Sequence, residues 1–550
     1  MNKTKILKSV HSFIQSFDWK LFLFLILFLN AKMAVKIAAI IFIYLLRFNF
    51  RFGFRLRSTR LPLFYVIIIA IAFLNWFLTG SYLNINQNVA FATGIFFWLL
   101  CILAIHQIRL SVDTEESAKI YNSILLFFIL NSLFSLGNLL SIMWETGSLN
   151  PYQYQGLYQK YFIGTGDDIK GISFDVSTTN ALINALGVVF FISRNKIFMS
   201  FLCMTVLLLT GSNFTNLLII CTLLYMLAFQ STRDQKSIIV LCLLALVIFV
   251  ARVSPQNNEY VLSNYEKIFE KEYAVNNIAP AIPVTEKPDS LLTADEKKEK
   301  IAKLYLDSVG KARQLSNLII LLHARDSGKI ININTTTKPI ISEPDINGSF
   351  FQKKDENTAQ REELIKYNNE EMDDLFNPRF YKPYQKLPGK FLGFIQTTHF
   401  LKKNPGKIIF GNGMGNFSSK LAFKTTALDI SGKYPKKLAY VNSNFKNNHL
   451  ALYLYYFSKG AYMHSIINSP NSVFDQLLSE YGIAGLLTFI LFYIGFFIRG
   501  RKQFYLSIPQ LMIIGGAFVV DYWFEQLSLV IVFELMLFLN LKDKRPSNHK

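Results

Sequence analysis

Apolar runs of about twenty residues recur from one end of this chain to the other, each long enough to cross roughly 30 Å of hydrocarbon as a helix. Inside a bilayer no water is present to satisfy backbone N–H and C=O groups, so spanning segments close their own hydrogen bonds as helices. The expected fold is therefore an all-α polytopic membrane protein. Composition agrees: 51% of the 550 residues are hydrophobic and the mean hydropathy is +0.29, too apolar for an ordinary soluble enzyme. The net charge of +20 would suit nucleic acid. In a membrane protein, however, basic cytoplasmic loops and anionic headgroups account for such an excess, and no nucleic-acid partner is expected. Cys101, Cys203, Cys221 and Cys242 all lie within apolar runs. They cannot build the disulfide framework of an exported domain, no Cys/His cluster has zinc spacing, and neither metal nor cofactor is implied. Lys3, Lys5 and Lys8 precede an apolar run without a small-residue cleavage site, which reads as an uncleaved anchor.

Charge sets the expected orientation. Residues 19–46 are interrupted by Asn30, Lys32 and Lys36, so they read as a helical hairpin rather than one span. The following loop, 47–60, carries Arg47, Arg51, Arg55, Arg57 and Arg60, which places it in the cytoplasm. Further spans are expected near 61–79, 88–109, 119–143, 173–193, 197–211, 214–230, 236–252, 473–498, 503–521 and 525–541. Basic turns at Arg109/Lys119, Arg194/Lys196, Arg233/Lys236 and 499–502 alternate with a neutral turn at 80–87. The alternation closes at about twelve helices with both ends inside. The chain thus divides into N-terminal membrane helices (1–252), one large external loop (253–470), and C-terminal membrane helices with a basic tail (471–550). Within the loop, Ala294–Leu322 and Asp355–Phe376 have helical periodicity, and the turn-rich stretch 333–349 separates them. Residues 389–403 form an amphipathic pattern suited to lying on the bilayer.

The segment His464–Phe497 joins the loop to a membrane span. Ser469-Pro470-Asn471-Ser472 offers a turn and a cap. Beyond it, Phe474, Leu477, Leu478, Tyr481 and Ala484 share one helical face; Ser472, Asp475, Ser479 and Gly482 share another, and Gln476 and Glu480 lie a turn apart. Carboxylates at the outer end of an apolar helix point to a polar pocket at the membrane surface. Upstream, Gly411, Gly413 and Gly415 alternate with Asn412, Met414 and Asn416. Such spacing lets backbone N–H groups converge on an anion or on sugar hydroxyls, and it also makes a plain tight turn.

Asn471, Ser472, Phe474, Leu477, Leu478, Glu480, Gly482, Gly485 and Leu486 resemble the signature of bacterial O-antigen ligases and Wzy-type O-antigen polymerases. That signature runs His, then Asn or Ser, then Leu-x-x-Leu-x-Glu-x-Gly-x-x-Gly-Leu; here Asn471 stands at the His position. The Pro405 to Gly415 segment resembles the family's Pro-to-Gly-x-Gly-x-Gly stretch, in the same order before the signature helix. Residues 171–191 are similar to the family's glycine-containing entry to a middle helix, and 207–220 to its Ser-Arg span, with Asn213 at the Arg position. The resemblance implies a periplasmic loop, the bacterial inner membrane, and a metal-independent glycosyltransferase of lipopolysaccharide or another surface polysaccharide. It implies an undecaprenyl-diphosphate-linked glycan as donor, membrane lipid around it, and a chain-length regulator as protein partner.

Residue roles follow as expectations. Arg252 ends the span before the loop; its planar fork suits a diphosphate, and the alternative is a snorkelling anchor. Gly411, Gly413, Asn471, Ser472 and Asp475 are expected to line the substrate site, with His464 and Glu480 as the catalytic pair. Asn471 accepts no proton, so the base moves to His464 or His449, or to Asp475 or Glu480 in a dry setting. Glu480 also has a capping and orienting role open to it. A transporter or flippase is the alternative reading, although ionisable groups inside the spans are sparse (His106, Asp175, Asp521, Glu534). A sensor would need a cytoplasmic output domain, for which the inner loops are too short.

Overall fold

Each apolar run becomes a helix. The computed structural model describes residues 15–30, 32–55, 59–146, 149–153, 169–254, 388–428, 432–457, 469–499 and 501–542, with positions 288 and 300. Helices α1 (Trp19–Phe28) and α2 (Met33–Leu46) make the expected hairpin, the first capped by the Asp18 side chain. There follow α3 (Phe64–Leu78), α4 (Ile85–Thr114), α5 (Ser117–Thr146), α6 (Ser177–Ile192), α7 (Ile197–Leu209), α8 (Asn213–Phe229) and α9 (Arg233–Ile248). Asn84 caps α4, and Thr232 with Gln235 closes a reciprocal capping box on α9. The described part of 253–470 contributes α10 (Gly389–Lys403), α11 (Lys420–Thr425) and α12 (Ala451–Phe457). The chain returns through α13 (Val473–Thr488), α14 (Arg501–Val520), the single turn α15 (Trp523–Gln526) and α16 (Ser528–Lys542). All secondary structure among the described residues is helical.

A helix occupies each of the twelve apolar segments. Among the described residues, four stretches have the length and hydropathy to cross a bilayer: Ile85–Thr114, Ser117–Trp144, Arg233–Val253 and Val473–Phe497. Burial divides the bundle. Every residue of α6 is buried, and so are Ser528–Asn540 of α16, so these two form the middle. A helix apolar all round belongs there. Helix α4 packs along α16, α7 along α6, α14 along α8, and α13 against α3. The periphery keeps large exposed apolar side chains such as Leu45, Phe77, Leu217 and Leu491, as a lipid-facing surface would. Lys36, which interrupts the first apolar run, is only 2% exposed. Its ammonium donates to the Gln526 carbonyl and the Ser528 hydroxyl, tying α2 to the α15–α16 joint.

Two expectations change. The 473–498 segment is not one continuous helix: Gly482 stands at φ 68°, ψ −164°, and breaks it. Residues 389–403 do form a helix, but Leu392, Gly393, Gln396, Thr397 and Phe400 are buried against α13 and the His449 turn rather than laid on a bilayer. The expected helices at 294–322 and 355–376 and the intervening turns lie outside the described residues, apart from Lys300.

Candidate active site at the broken helix

The break in α13 is filled by the glycine-rich segment. Peptide N–H groups of Asn412 and Gly413 donate to the Ser479 and Glu480 carbonyls at 2.8 and 3.0 Å. Those of Ile483 and Ala484 donate to the Ile408 and Ile409 carbonyls at 2.9 and 3.0 Å. Backbone groups orphaned by the break are thereby paired, as they must be away from water. Glycine is required on both sides because the two backbones touch. A Cβ on Gly411 would stand 2.4 Å from the Glu480 carbonyl carbon, and one on Gly482 would stand 2.4 Å from the Ile409 oxygen. Asn75 of α3 donates to the Phe410 and Gly411 carbonyls and holds the insert from the other side.

Glu480 completes the clamp. Its carboxylate accepts from Gly415 N–H (2.9 Å), Phe417 N–H (3.1 Å) and the Ser419 hydroxyl (2.7 Å), with no exposed surface. The glycine-rich amides do converge on an anion, as their spacing suggested, and that anion is the chain's own Glu480. Gly411 N–H is likewise spent on the Lys407 carbonyl and Gly413 N–H on the Glu480 carbonyl. The Glu480 carboxylate and the Gly411 and Gly413 N–H groups are thus all engaged within the chain itself. Glu525 acts in parallel, accepting from Gln476 Nε2 and from the Leu421 N–H that opens α11.

The outer half of α13 presents a different environment. Asp475 and His449 are 1% and 0% exposed by side chain, with Nε2 3.8 Å from Oδ2. His449 sits in a π-helical turn, Lys446–Leu450, between the rings of Phe417 and Tyr453. Neither imidazole nitrogen and neither Asp475 oxygen has a hydrogen-bond partner among the described residues. Ser418 and Thr397 hydroxyls lean toward Asp475 without reaching hydrogen-bond geometry. Gly393 of α10 lies over the pair; a Cβ there would come within 3.3 Å of His449 Cε1 and 3.4 Å of Asp475 Oδ2. Two buried ionisable groups held this close together are a candidate functional pair on geometric grounds. Burial pushes the His449 imidazole down to about 3, so it is neutral at ordinary pH.

Lys390, one turn before Gly393, closes the outer edge. Its ammonium donates to Ser469 Oγ (3.2 Å), the Val520 carbonyl (2.7 Å) and the Asn471 carbonyl. Burial pushes it down to about 7, against the upward pull of Asp521 and Asp475. Asn471 donates to Asp521 at 3.2 Å, and its own Oδ1 has no hydrogen-bond partner among the described residues. Ser472 begins α13 by its backbone angles, but its hydroxyl donates to the Phe518 carbonyl at 3.3 Å instead of capping the helix. The fold therefore brings Asn471, Ser472, Asp475, Glu480, Gly411 and Gly413 to one region. Arg252 is not among them: it is exposed, in a turn held by Asn150 and Tyr152. His464 lies outside the described residues.

Sequence reasoning did not single out Lys390, Gly393 and Thr397. Their signal was the polar stripe at helical spacing along 389–403. No protein-family model, no curated protein and no solved structure matches the chain, so any function has to be argued from this site.

Proposed function

We propose that this chain is an integral-membrane glycosyltransferase of the bacterial inner membrane, with twelve spans, both ends cytoplasmic and 253–470 periplasmic. It takes an undecaprenyl-diphosphate-linked glycan as donor and extends a surface polysaccharide or transfers it to an acceptor. The observation that carries this reading is the buried Asp475–His449 pair, 3.8 Å apart under Gly393, at the head of a membrane helix. In the reaction an acceptor hydroxyl oxygen bonds to the anomeric carbon, and the bond from that carbon to the phosphate oxygen breaks. Undecaprenyl diphosphate leaves with the bonding electrons. The hydroxyl proton passes to the Asp475 carboxylate, while His449, neutral because it is buried, orients the attacking oxygen. Asn471 then needs no proton-accepting role. Charge on the departing diphosphate is met by the half-buried Lys420 and Lys424 of α11.

The transporter reading has one observation in its favour, since broken membrane helices often bind solutes at their half-helix ends. Here those ends are filled by residues 408–413 and Glu480, which offer a solute no free backbone groups. The experiment is deletion of the gene followed by gel analysis of surface glycan. A polymerase mutant leaves core bearing a single repeat, and a ligase mutant leaves bare core with accumulated lipid-linked chains. Unchanged glycan with altered movement of a small solute refutes the enzyme.

A further inference from the structure

Nothing in the glycosyl-transfer reading uses the segment that follows α2, where arginine and phenylalanine alternate: Arg47, Phe48, Phe50, Arg51, Phe52, Phe54, Arg55. It is not a helix, yet it is fixed in place. His106 Nε2 meets the Arg51 carbonyl at 3.1 Å, its Nδ1 meets the Tyr44 hydroxyl at 2.9 Å, and its ring lies 4.5 Å from Phe52. Gly53, at φ +70°, turns the strap back so that Arg60 N–H donates to its carbonyl at 3.0 Å. Phe52 and Phe54 pack onto the core, whereas Phe48 and Phe50 are 82% and 52% exposed.

The charges divide in the same manner. Arg47 donates to Ser111 at 2.6 Å with Asp18 and Glu115 nearby, and Arg60 pairs with Asp113 at 2.6 Å. Arg51 and Arg55 are exposed and face no acidic side chain among the described residues. Leu45 and Leu46, at the end of the apolar helix α2, are exposed immediately before the strap. Bare aromatic rings and unneutralised guanidinium groups on a pinned backbone, continuous with a lipid-facing helix, suit the headgroup layer of a bilayer. There the rings enter the acyl boundary, and the planar forks make paired, charge-assisted bonds to phosphodiester oxygens.

We infer that the Arg51–Arg55 strap is a binding site for the headgroups of anionic phospholipids in the leaflet where α2 ends. The inference rests on the membrane character of the chain and is independent of glycosyl transfer. Its test uses the full-length protein in nanodiscs, with spin-labelled phosphatidylglycerol and phosphatidylcholine reporting which lipid is immobilised. Wild type is expected to prefer phosphatidylglycerol, and Arg51→Gln/Arg55→Gln to lose that preference by about 5-fold per arginine, the equivalent of roughly 1 kcal/mol for each basic residue at a charged surface. Phe48→Ser/Phe50→Ser should weaken it as well. Arg233→Gln, at another exposed arginine, should leave it unchanged. A wild-type preference retained by either pair, or an equal loss in Arg233→Gln, overturns the proposal.

Discussion

Gly482→Ala isolates the feature on which the site is built. At φ 68°, ψ −164° the residue occupies a region open essentially to glycine alone, and a side chain there costs about 1–3 kcal/mol. The added Cβ would also stand 2.4 Å from the Ile409 oxygen and 2.6 Å from Gly411 N. Backbone has to move, and the Ile483-to-Ile408 and Ala484-to-Ile409 hydrogen bonds go with it, about 1 kcal/mol each. The sum is roughly 3–5 kcal/mol, a change of more than two orders of magnitude in the ratio of folded to unfolded protein. Gly515→Ala is the matched control: it lies inside α14 with nothing within 4 Å of its Cβ, so alanine should be neutral or stabilising by up to about 1 kcal/mol. Both variants are carried through an SDS titration of the purified protein, with folded fraction read from tryptophan fluorescence. The Gly482→Ala midpoint should fall far below wild type and Gly515→Ala should match or exceed it. Equal midpoints for the two would mean that the contact between residues 408–413 and α13 does not hold this helix.

Other consequences separate positioning from chemistry. Glu480→Gln puts an amide NH2 against a cradle of donors, so stability and activity should fall together, by about 2–4 kcal/mol on the same titration; loss of activity at wild-type stability would make Glu480 chemical instead. For Lys390 the folded value is about 7 and the unfolded one 10.5. Between them the unfolded chain binds more protons, so this group makes stability rise with pH across that window and adds no slope below it. Lys390→Met should flatten the rise, and a difference from wild type that does not change with pH would contradict the assignment. Asp345→Cys should react with an impermeant thiol reagent once the outer membrane is opened; labelling only after the inner membrane is permeabilised would reverse the proposed topology.

The membrane class could be read from the sequence because spans follow from length and apolarity alone. Glu480, Gly482 and the Gly411–Gly415 repeat stood out in the sequence, the glycines because such spacing lets backbone N–H groups converge. What those groups meet was hidden. Helical periodicity places Asp475, Ser479 and Gly482 on one face. It carries no term for an inserted segment that exchanges hydrogen bonds with the helix backbone. His449 and Asp475 meet through tertiary packing of α10 on both α13 and the His449 turn, which no local pattern encodes. Arg252 is exposed at the end of its span, in a turn whose Phe249 packs on Tyr152, and nothing in the sequence signalled that packing. Lys36 broke a hydropathy run and so marked a hairpin; that it also locks α15 to α16 follows only from the assembled bundle.

The most direct test is glycan extension in a bilayer. Wild type, Asp475→Asn and His449→Gln are purified, checked on the SDS titration, and placed in nanodiscs with undecaprenyl-diphosphate-linked oligosaccharide and an acceptor. Both substitutions replace groups that make no hydrogen bond among the described residues, so folding should hold. Wild type should yield lengthened or transferred glycan, and Asp475→Asn should be slower by about the 10²–10⁴-fold typical of a lost general base. His449→Gln should lose less, because its ring orients rather than accepts. No product from wild type on any lipid-linked glycan, or product from Asp475→Asn at the wild-type rate, would contradict the account.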